Sequence, residues 1–436
     1  MSTAFSNDQL AVIASRHGLN LKAVVPPTRD QRLQDLRDQL ARTDVRYPIT
    51  RAVAEAYFRM AESGIPFGVG TLSTESVDLG QYKNSQEYEA YTLEEHLSWA
   101  CLIVEQQKTK HRYACREYLE GEEIFQIGGT SIPDFYLLNA RIYQQTGWQL
   151  ATVSEIIPAE LFFTCHSRRF FPVTTFMRQL EQDYLQEPDI GHDVAGHVAT
   201  FTIPAVAKVM QNHGKARDMV YQERDRKMEA AKSNEERVQI AAWADELLLY
   251  AGRIYWFTVE FGLVMQNGDV RDFGAGILSS PGETVYSVDS PESSRVLIDP
   301  SRDEDLLRLA ITDYLISEFQ KTYFVMASFE LLESLTAERL VWAAKRAMEL
   351  PHYTWREIAP GDQVINVGRI TTGVNEKYFR LMANDSIDEC QSRTALRNLQ
   401  MVVDGFDEDT GYRNLKVKPP RIPPTVVDWF RTRRLS

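Results

Sequence analysis

Apolar positions spaced three and four residues apart recur along most of the chain, which predicts a mainly helical fold. Leu97, Ala100, Cys101 and Val104 make one such face. Thr92 precedes it with Glu95 three residues on, the capping-box pattern of a helix start. Residues 30–40 and 52–61 read as two short helices, the second ended by Gly64-Ile65-Pro66. Further helices are predicted over 114–119, 135–145 (with Pro133 in the first turn), from Pro158 through Phe163, and over 337–350. Pro351 and Pro360-Gly361 break the chain after that. Short extended pieces are predicted near 149–153 and 269–273, and 68–80 reads as a loop or hairpin. The fold class is therefore mainly α with small β ribbons.

Composition narrows the class. The 436 residues are 44% hydrophobic and 25% charged, ordinary for a globular protein large enough to bury a sizeable core. A net charge of −13 argues against a general nucleic-acid surface. Cys101, Cys115, Cys165 and Cys390 lack any CxxC spacing and are expected to be reduced thiols rather than one or two disulfides. The first residues show no basic start or apolar stretch of a secretory signal, and no apolar run approaches the roughly 18 residues of a membrane span. The expectation is a cytoplasmic protein without membrane or nucleic-acid partners.

Two regions depart from the average. Residues 215–246 hold seven basic and eight acidic side chains, which predicts either a solvated helical hairpin or a lid over a substrate. Residues 412–436 hold seven basic residues against one acid, Asp428, together with Pro419-Pro420 and Pro423-Pro424. They read either as an extended arm on an acidic surface or as a tail without fixed structure.

Candidate chemistry centres on Glu187-Pro188-Asp189-Ile190-Gly191-His192-Asp193-Val194-Ala195-Gly196-His197 and on Glu260 within Tyr255-Trp256-Phe257-Thr258-Val259-Glu260-Phe261-Gly262. Two imidazoles and a carboxylate on one face of Fe(II) leave coordination positions for O2 and substrate. The same three groups also suit zinc in a hydrolase. The spacing is imperfect for an α-helix, where residues five apart point about 140° apart. A local bulge would be needed to align His192 with His197.

These two blocks, followed by Gly274-Ala275-Gly276-Ile277-Leu278-Ser279-Ser280, resemble the pterin-dependent aromatic amino acid hydroxylases. The bacterial phenylalanine hydroxylases look most similar, through Thr146-Gly147-Trp148-Gln149-Leu150, Arg169-Phe170-Phe171-Pro172-Val173-Thr174 and Asp183-Tyr184-Leu185-Gln186-Glu187-Pro188-Asp189. The resemblance spans about 91–335. It implies a catalytic domain there, with the charged 215–246 segment as extra material, flanked by extensions 1–90 and 336–436 of unassigned role. It implies Fe(II) on His192, His197 and Glu260, and a tetrahydropterin (tetrahydrobiopterin or tetrahydromonapterin) near Phe162, Asp193 and Tyr255. It implies an aromatic amino acid, phenylalanine or tryptophan, held by Arg178 and Asp189 among Trp256 and Phe261, with Ser279 behind the first histidine. The implied reaction uses O2, placing one oxygen atom on the ring and one on the pterin, and needs no side-chain nucleophile. A same-fold oxygenase acting on another aromatic compound or ring position is the alternative.

The chain departs from the family pattern at three places. Ala199 stands where the family has proline, and Gly191 and Ala195 stand where bacterial members carry bulky aromatics. Small residues beside the ligands predict an enlarged pocket, with a preference for a larger ring such as tryptophan.

Overall fold

The computed structural model describes residues 5–180, 188–314, 319–355, 357–366, 406–407 and 412–413. Helices dominate: α1 Asn7–Arg16, α2 Arg29–Leu40, α3 Arg51–Glu62, α4 Leu93–Tyr113, α5 Arg116–Phe125 and α6 Phe135–Thr146 precede β1 Gln149–Val153. Then come α7 Ala159–Ser167, β2 Phe170–Thr174, α8 Ile190–His192, α9 Pro204–Ala230 and α10 Asn234–Tyr255. The rest comprises β3 Gly262–Gln266, β4 Asp269–Asp272, α11 Ala275–Leu278, α12 Pro281–Asp289, β5 Ser294–Ile298, α13 Asp303–Ala310, β6 Thr322–Met326, α14 Ala337–Ala347 and β7 Gln363–Asn366.

Local chemistry explains the boundaries. Thr92 accepts from the Glu95 amide while Glu95 reaches back to Thr92, so α4 begins as its sequence predicts. The predicted helix over 114–119 is shifted: Ala114 and Cys115 are extended, and α5 starts at Arg116. Pro133 lies outside α6, because Asp134 is the cap and accepts from the Tyr136 amide. Trp99, Ile103, Gln106, Lys110 and Tyr113 form a buried stripe along α4. Leu36 and Leu40 of α2 and Tyr57 of α3 join the main core, while Leu10, Ile13 and Ala14 of α1 pack with Leu97, Ala100 and Cys101 of α4 in a smaller cluster.

Strand content exceeds the two ribbons read from the pattern. β1 and β2 pair in parallel, Gln149 opposite Phe170 through Val153 opposite Thr174. A mixed five-stranded sheet runs β4-β3-β6-β5-β7, parallel between β3, β6 and β5 and antiparallel at both edges. Every residue of β2 and β6 is buried, so neither shows the alternation that marks a half-exposed strand.

The charged segment is a helical hairpin. Residues 231–233 join α9 to α10, and Ser233 caps the second helix on the Glu236 amide. The two helices are long, 27 and 22 residues, and about 40 and 33 Å at a helical rise. They pack against one another and return the chain to its starting level. Consequently the turn before α9 and the turn after α10 meet at the hairpin's root. The expectation for 412–436 lies outside the described residues except for Tyr412–Arg413, which pair with Phe406–Asp407. Cys390 lies outside them too, while Cys101, Cys115 and Cys165 are buried thiols. Among the described residues no helix is long and apolar enough to cross a membrane.

Candidate metal centre

His192 ends α8, and the chain continues through a π-helical turn, Asp193–His197. Hydrogen bonds five residues apart widen the turn, so that five residues come nearer to one full turn and the 140° offset of an α-helix shrinks. The two imidazole rings accordingly face each other, centroids 5.0 Å apart. A second π turn, Trp256–Glu260, follows α10, with the Phe261 amide on the Trp256 carbonyl at 2.8 Å. It carries Glu260 to the same point.

His197 Nε2 lies 3.3 Å from His192 Nε2 and 3.1 Å from Glu260 Oε1, and His192 Nε2 lies 3.9 Å from Glu260 Oε2. A dication with bonds of about 2.0–2.2 Å near right angles needs ligand atoms about 3 Å apart, so the three groups fit one ion. His197 is 2% exposed and Glu260 10%, whereas the His192 side chain is 27% exposed, which marks the open side of the centre.

Surrounding groups orient the ligands. Ser279 Oγ stands 3.0 Å from His192 Nδ1 and donates its single proton to the Gly276 carbonyl. It therefore accepts from His192, whose proton sits on Nδ1 and whose lone pair on Nε2 points at the other ligands. Burial, reinforced by His197, pushes the His192 pKa down to about 4, which keeps that lone pair available. Burial raises the Glu260 carboxyl, but His197, His192 and the Gly276 amide outweigh it and hold it below the usual range.

Asp189 ties a second group to this turn. Its Oδ1 accepts from the His192 amide at 3.0 Å and from Arg178 Nη2 at 2.7 Å, and its Oδ2 accepts from Arg178 Nε at 2.7 Å. Burial works against this carboxylate, yet Arg178 and the backbone donors keep its pKa low. Asp193 is buried, accepts from the Thr174 amide and hydroxyl at 2.7 and 2.8 Å, and is pushed up by burial to about 7. It thereby joins β2 to the metal turn.

Aromatic side chains enclose the centre. Phe162 of α7 is half-buried, edge-on to His166 at 4.3 Å and to Tyr255 at 5.7 Å. The Tyr255 hydroxyl is buried without a hydrogen-bond partner among the described residues. Trp256 stacks between Phe261 at 4.8 Å and Tyr314 at 4.1 Å. Phe171 of β2 packs on the His197 ring at 4.9 Å.

The residues singled out from the sequence lie on the elements that build this region, and the small residues beside the ligands have close neighbours. A Cβ on Gly191 would lie 2.3 Å from Leu102 Cδ2, so the α4 leucine already fills that space. Ala195 is fully buried, with its carbonyl facing Lys110 and Tyr118 of α4 and α5. The Ala199 carbonyl lies 2.3 Å from a Cβ built on Gly121, so α5 approaches as closely as it does only because residue 121 is glycine. Sequence reasoning missed Thr174, Tyr314, Gln106 and Lys110. The last two were detectable as polar members of the 99, 103, 106, 110, 113 stripe.

Comparison with known proteins agrees with this centre. Residues 78–230 and 227–353 match the biopterin-dependent aromatic amino acid hydroxylases, a wider span than 91–335. Phenylalanine-4-hydroxylase of Chromobacterium violaceum is 35% identical over 294 residues, 67% of this chain and 90% of its own. That of Pseudomonas aeruginosa is 36% identical over 261 residues, 60% and 88% of the two chains. A crystal structure of the Chromobacterium violaceum enzyme with bound iron(III) and 7,8-dihydrobiopterin aligns with a TM-score of 0.55 at 35% identity, covering 66% of this chain and 95% of that one. The chain belongs to the biopterin-dependent aromatic amino acid hydroxylases.

Proposed function

We propose that this chain hydroxylates the ring of phenylalanine, using Fe(II), a tetrahydropterin and O2, in the cytoplasm. One observation carries the reading: Asp189 binds both the His192 amide and the Arg178 guanidinium. A single carboxylate thus sets the distance between a metal ligand and a planar fork suited to an amino acid's carboxylate. The relatives named above are phenylalanine-4-hydroxylases, and the Leu102 side chain stands against Gly191, one of the two small residues that pointed to a larger ring.

In this reading His192, His197 and Glu260 hold the iron, Arg178 holds the substrate carboxylate, and Phe162 offers its half-buried ring for the pterin to stack on. Iron and a reduced pterin held there would supply oxygen activation, with one atom of O2 for the ring and the other for the pterin. The Phe261, Trp256 and Tyr314 stack keeps water from the substrate ring, and Ser279 and Asp189 hold His192 in place. The pterin contact implied for Asp193 has less support, because its described hydrogen bonds go to Thr174.

The test is turnover of L-phenylalanine, L-tryptophan and L-tyrosine with Fe(II), tetrahydrobiopterin and 18O2, followed by mass spectrometry. The expected result is tyrosine carrying one 18O, formed from phenylalanine with the highest kcat/KM of the three. Preference for another substrate overturns the phenylalanine assignment. His197→Ala should abolish both iron binding and product; retained iron and activity would sink the ligand assignment.

A further inference from the structure

Lys110 is a lysine in the middle of the core. Its side chain is 1% exposed, yet it lies on the buried stripe of α4 between Gln106 and Tyr113. Burial lowers its pKa, and the neighbouring Glu122 carboxylate opposes that. Nζ lies 2.6 Å from Glu122 Oε1, 2.8 Å from the Ala195 carbonyl, 2.9 Å from Gln106 Oε1 and 3.1 Å from Tyr118 Oη. The Tyr118 hydroxyl donates to the same Ala195 carbonyl at 2.5 Å. A lysine so placed is unnecessary for packing, since a buried ion pair is generally no more stabilising than an apolar pair of similar volume.

What Lys110 touches explains its presence. Ala195 is the central residue of the π turn that aligns His192 with His197. A turn of this kind interrupts the regular helical ladder, and here two side chains grip one of its carbonyls. Gln106 makes the second connection. Its Oε1 accepts from Lys110, its Nε2 donates to the Ser279 carbonyl at 3.1 Å, and Ser279 Oγ accepts from His192 Nδ1. One ammonium thus reaches the ligand pair by two routes, through the backbone between the histidines and through the serine behind the first of them.

We propose that Lys110, paired with Glu122, is a positioning residue for the metal centre: it clamps the Ala195 carbonyl and, through Gln106 and Ser279, the outer face of His192. The clamp holds both imidazoles in ligating position before the metal arrives. It rests on the reading of His192, His197 and Glu260 as metal ligands.

The full chain, stripped of metal and titrated with Co(II), provides the test. Wild type, Lys110→Met and Lys110→Met/Glu122→Leu are compared for apo Tm, Co(II) Kd and the visible spectrum of the Co(II) form. The single variant strands a buried carboxylate and should lose stability. The double variant removes both charges and should regain most of the apo Tm. Its Co(II) Kd should nevertheless rise about 10- to 100-fold, the usual effect of losing an outer partner, with a shifted ligand-field spectrum. With iron, kcat should fall more than the KM for phenylalanine changes. Wild-type Co(II) affinity and spectrum in the stable double variant overturn the clamp. If the double variant does not fold, Gln106→Met decides, since it keeps the Lys110–Glu122 pair and the grip on the Ala195 carbonyl while removing the Lys110–Gln106–Ser279 route. Its Kd and spectrum should change, and unchanged values refute the proposal. Absence of Co(II) binding by wild type overturns the metal centre itself, and the clamp with it.

Discussion

Ser279→Ala removes a single oxygen and measures how strongly the metal centre is set from outside its ligands. Ser279 Oγ sits 3.0 Å from both His192 Nδ1 and the Gly276 carbonyl, and the residue is only 8% exposed. Without that oxygen His192 has two choices. It can keep its proton on Nδ1, where a buried donor left unpaired costs about 1–3 kcal/mol. Alternatively, the proton moves to Nε2 and occupies the lone pair that faces His197 and Glu260. The second spares the apo protein that cost but must be reversed when the metal binds, so it appears as lost affinity rather than lost Tm. Losing such an outer partner typically costs about 10- to 100-fold in affinity, or about 1.4–2.7 kcal/mol. Anaerobic titration of the apo protein with Fe(II), against a competing chelator, reads this directly. The expected Kd is at least tenfold weaker, with an apo Tm close to that of wild type. A Kd within twofold of wild type would refute the argument that Ser279 determines the His192 tautomer.

Three further outcomes follow from other contacts. A Cβ on Gly214 would lie 2.1 Å from the Ser167 amide nitrogen and 2.6 Å from the Phe163 carbonyl, both backbone atoms of α7. Gly214→Ala should therefore cost about 1–3 kcal/mol of stability and raise the KM for pterin, because α7 carries Phe162; an unchanged Tm would mean that α7 shifts freely. Arg178→Lys keeps the charge but loses the fork held by Asp189, so KM for phenylalanine should rise well above any change for the pterin, and an equal rise in both would remove its assigned role. Burial holds the Glu283 carboxyl up at about 8, against a usual 4.5, despite donors from Tyr323 and Gln320. Its folded pKa is the higher one, so the neutral acid's contribution is complete below pH 4.5 and disappears as pH rises through 8. Glu283→Gln should thus gain Tm relative to wild type between about pH 5 and 9; a difference independent of pH would show that Glu283 is not held neutral.

Much of the architecture was readable from the chain. Capping chemistry at Thr92 and the periodicity of 30–40, 52–61 and 135–145 act over a few residues, and those helices lie close to where the pattern put them. The mixed-charge segment is a hairpin because its own residues favour helix on both sides of Ser233. The strands β2 and β6 were not read from the pattern: covered on both faces they show no alternation, although β1, buried in the same way, was expected. Pro133 and Ala114 misled for another reason: boundaries depend on which neighbouring atom satisfies the first free amide, and at α6 that atom belongs to Asp134.

For the centre itself, the sequence determined the donor types, their order and the family, because two histidines, a glutamate and the blocks around them are properties of the chain alone. Only tertiary structure decided how they meet. The five-residue spacing called for a bulge between His192 and His197, but the π turn that supplies it, and the second one that delivers Glu260, are set by hydrogen bonds that form in the folded chain. The same holds for the space beside Gly191. Gly191 reads as an absence of bulk, and the structure fills it with Leu102 from a helix ninety residues earlier. Packing conserves volume across the fold rather than along the chain, so a small residue in one segment is matched by a larger one wherever another segment comes to rest.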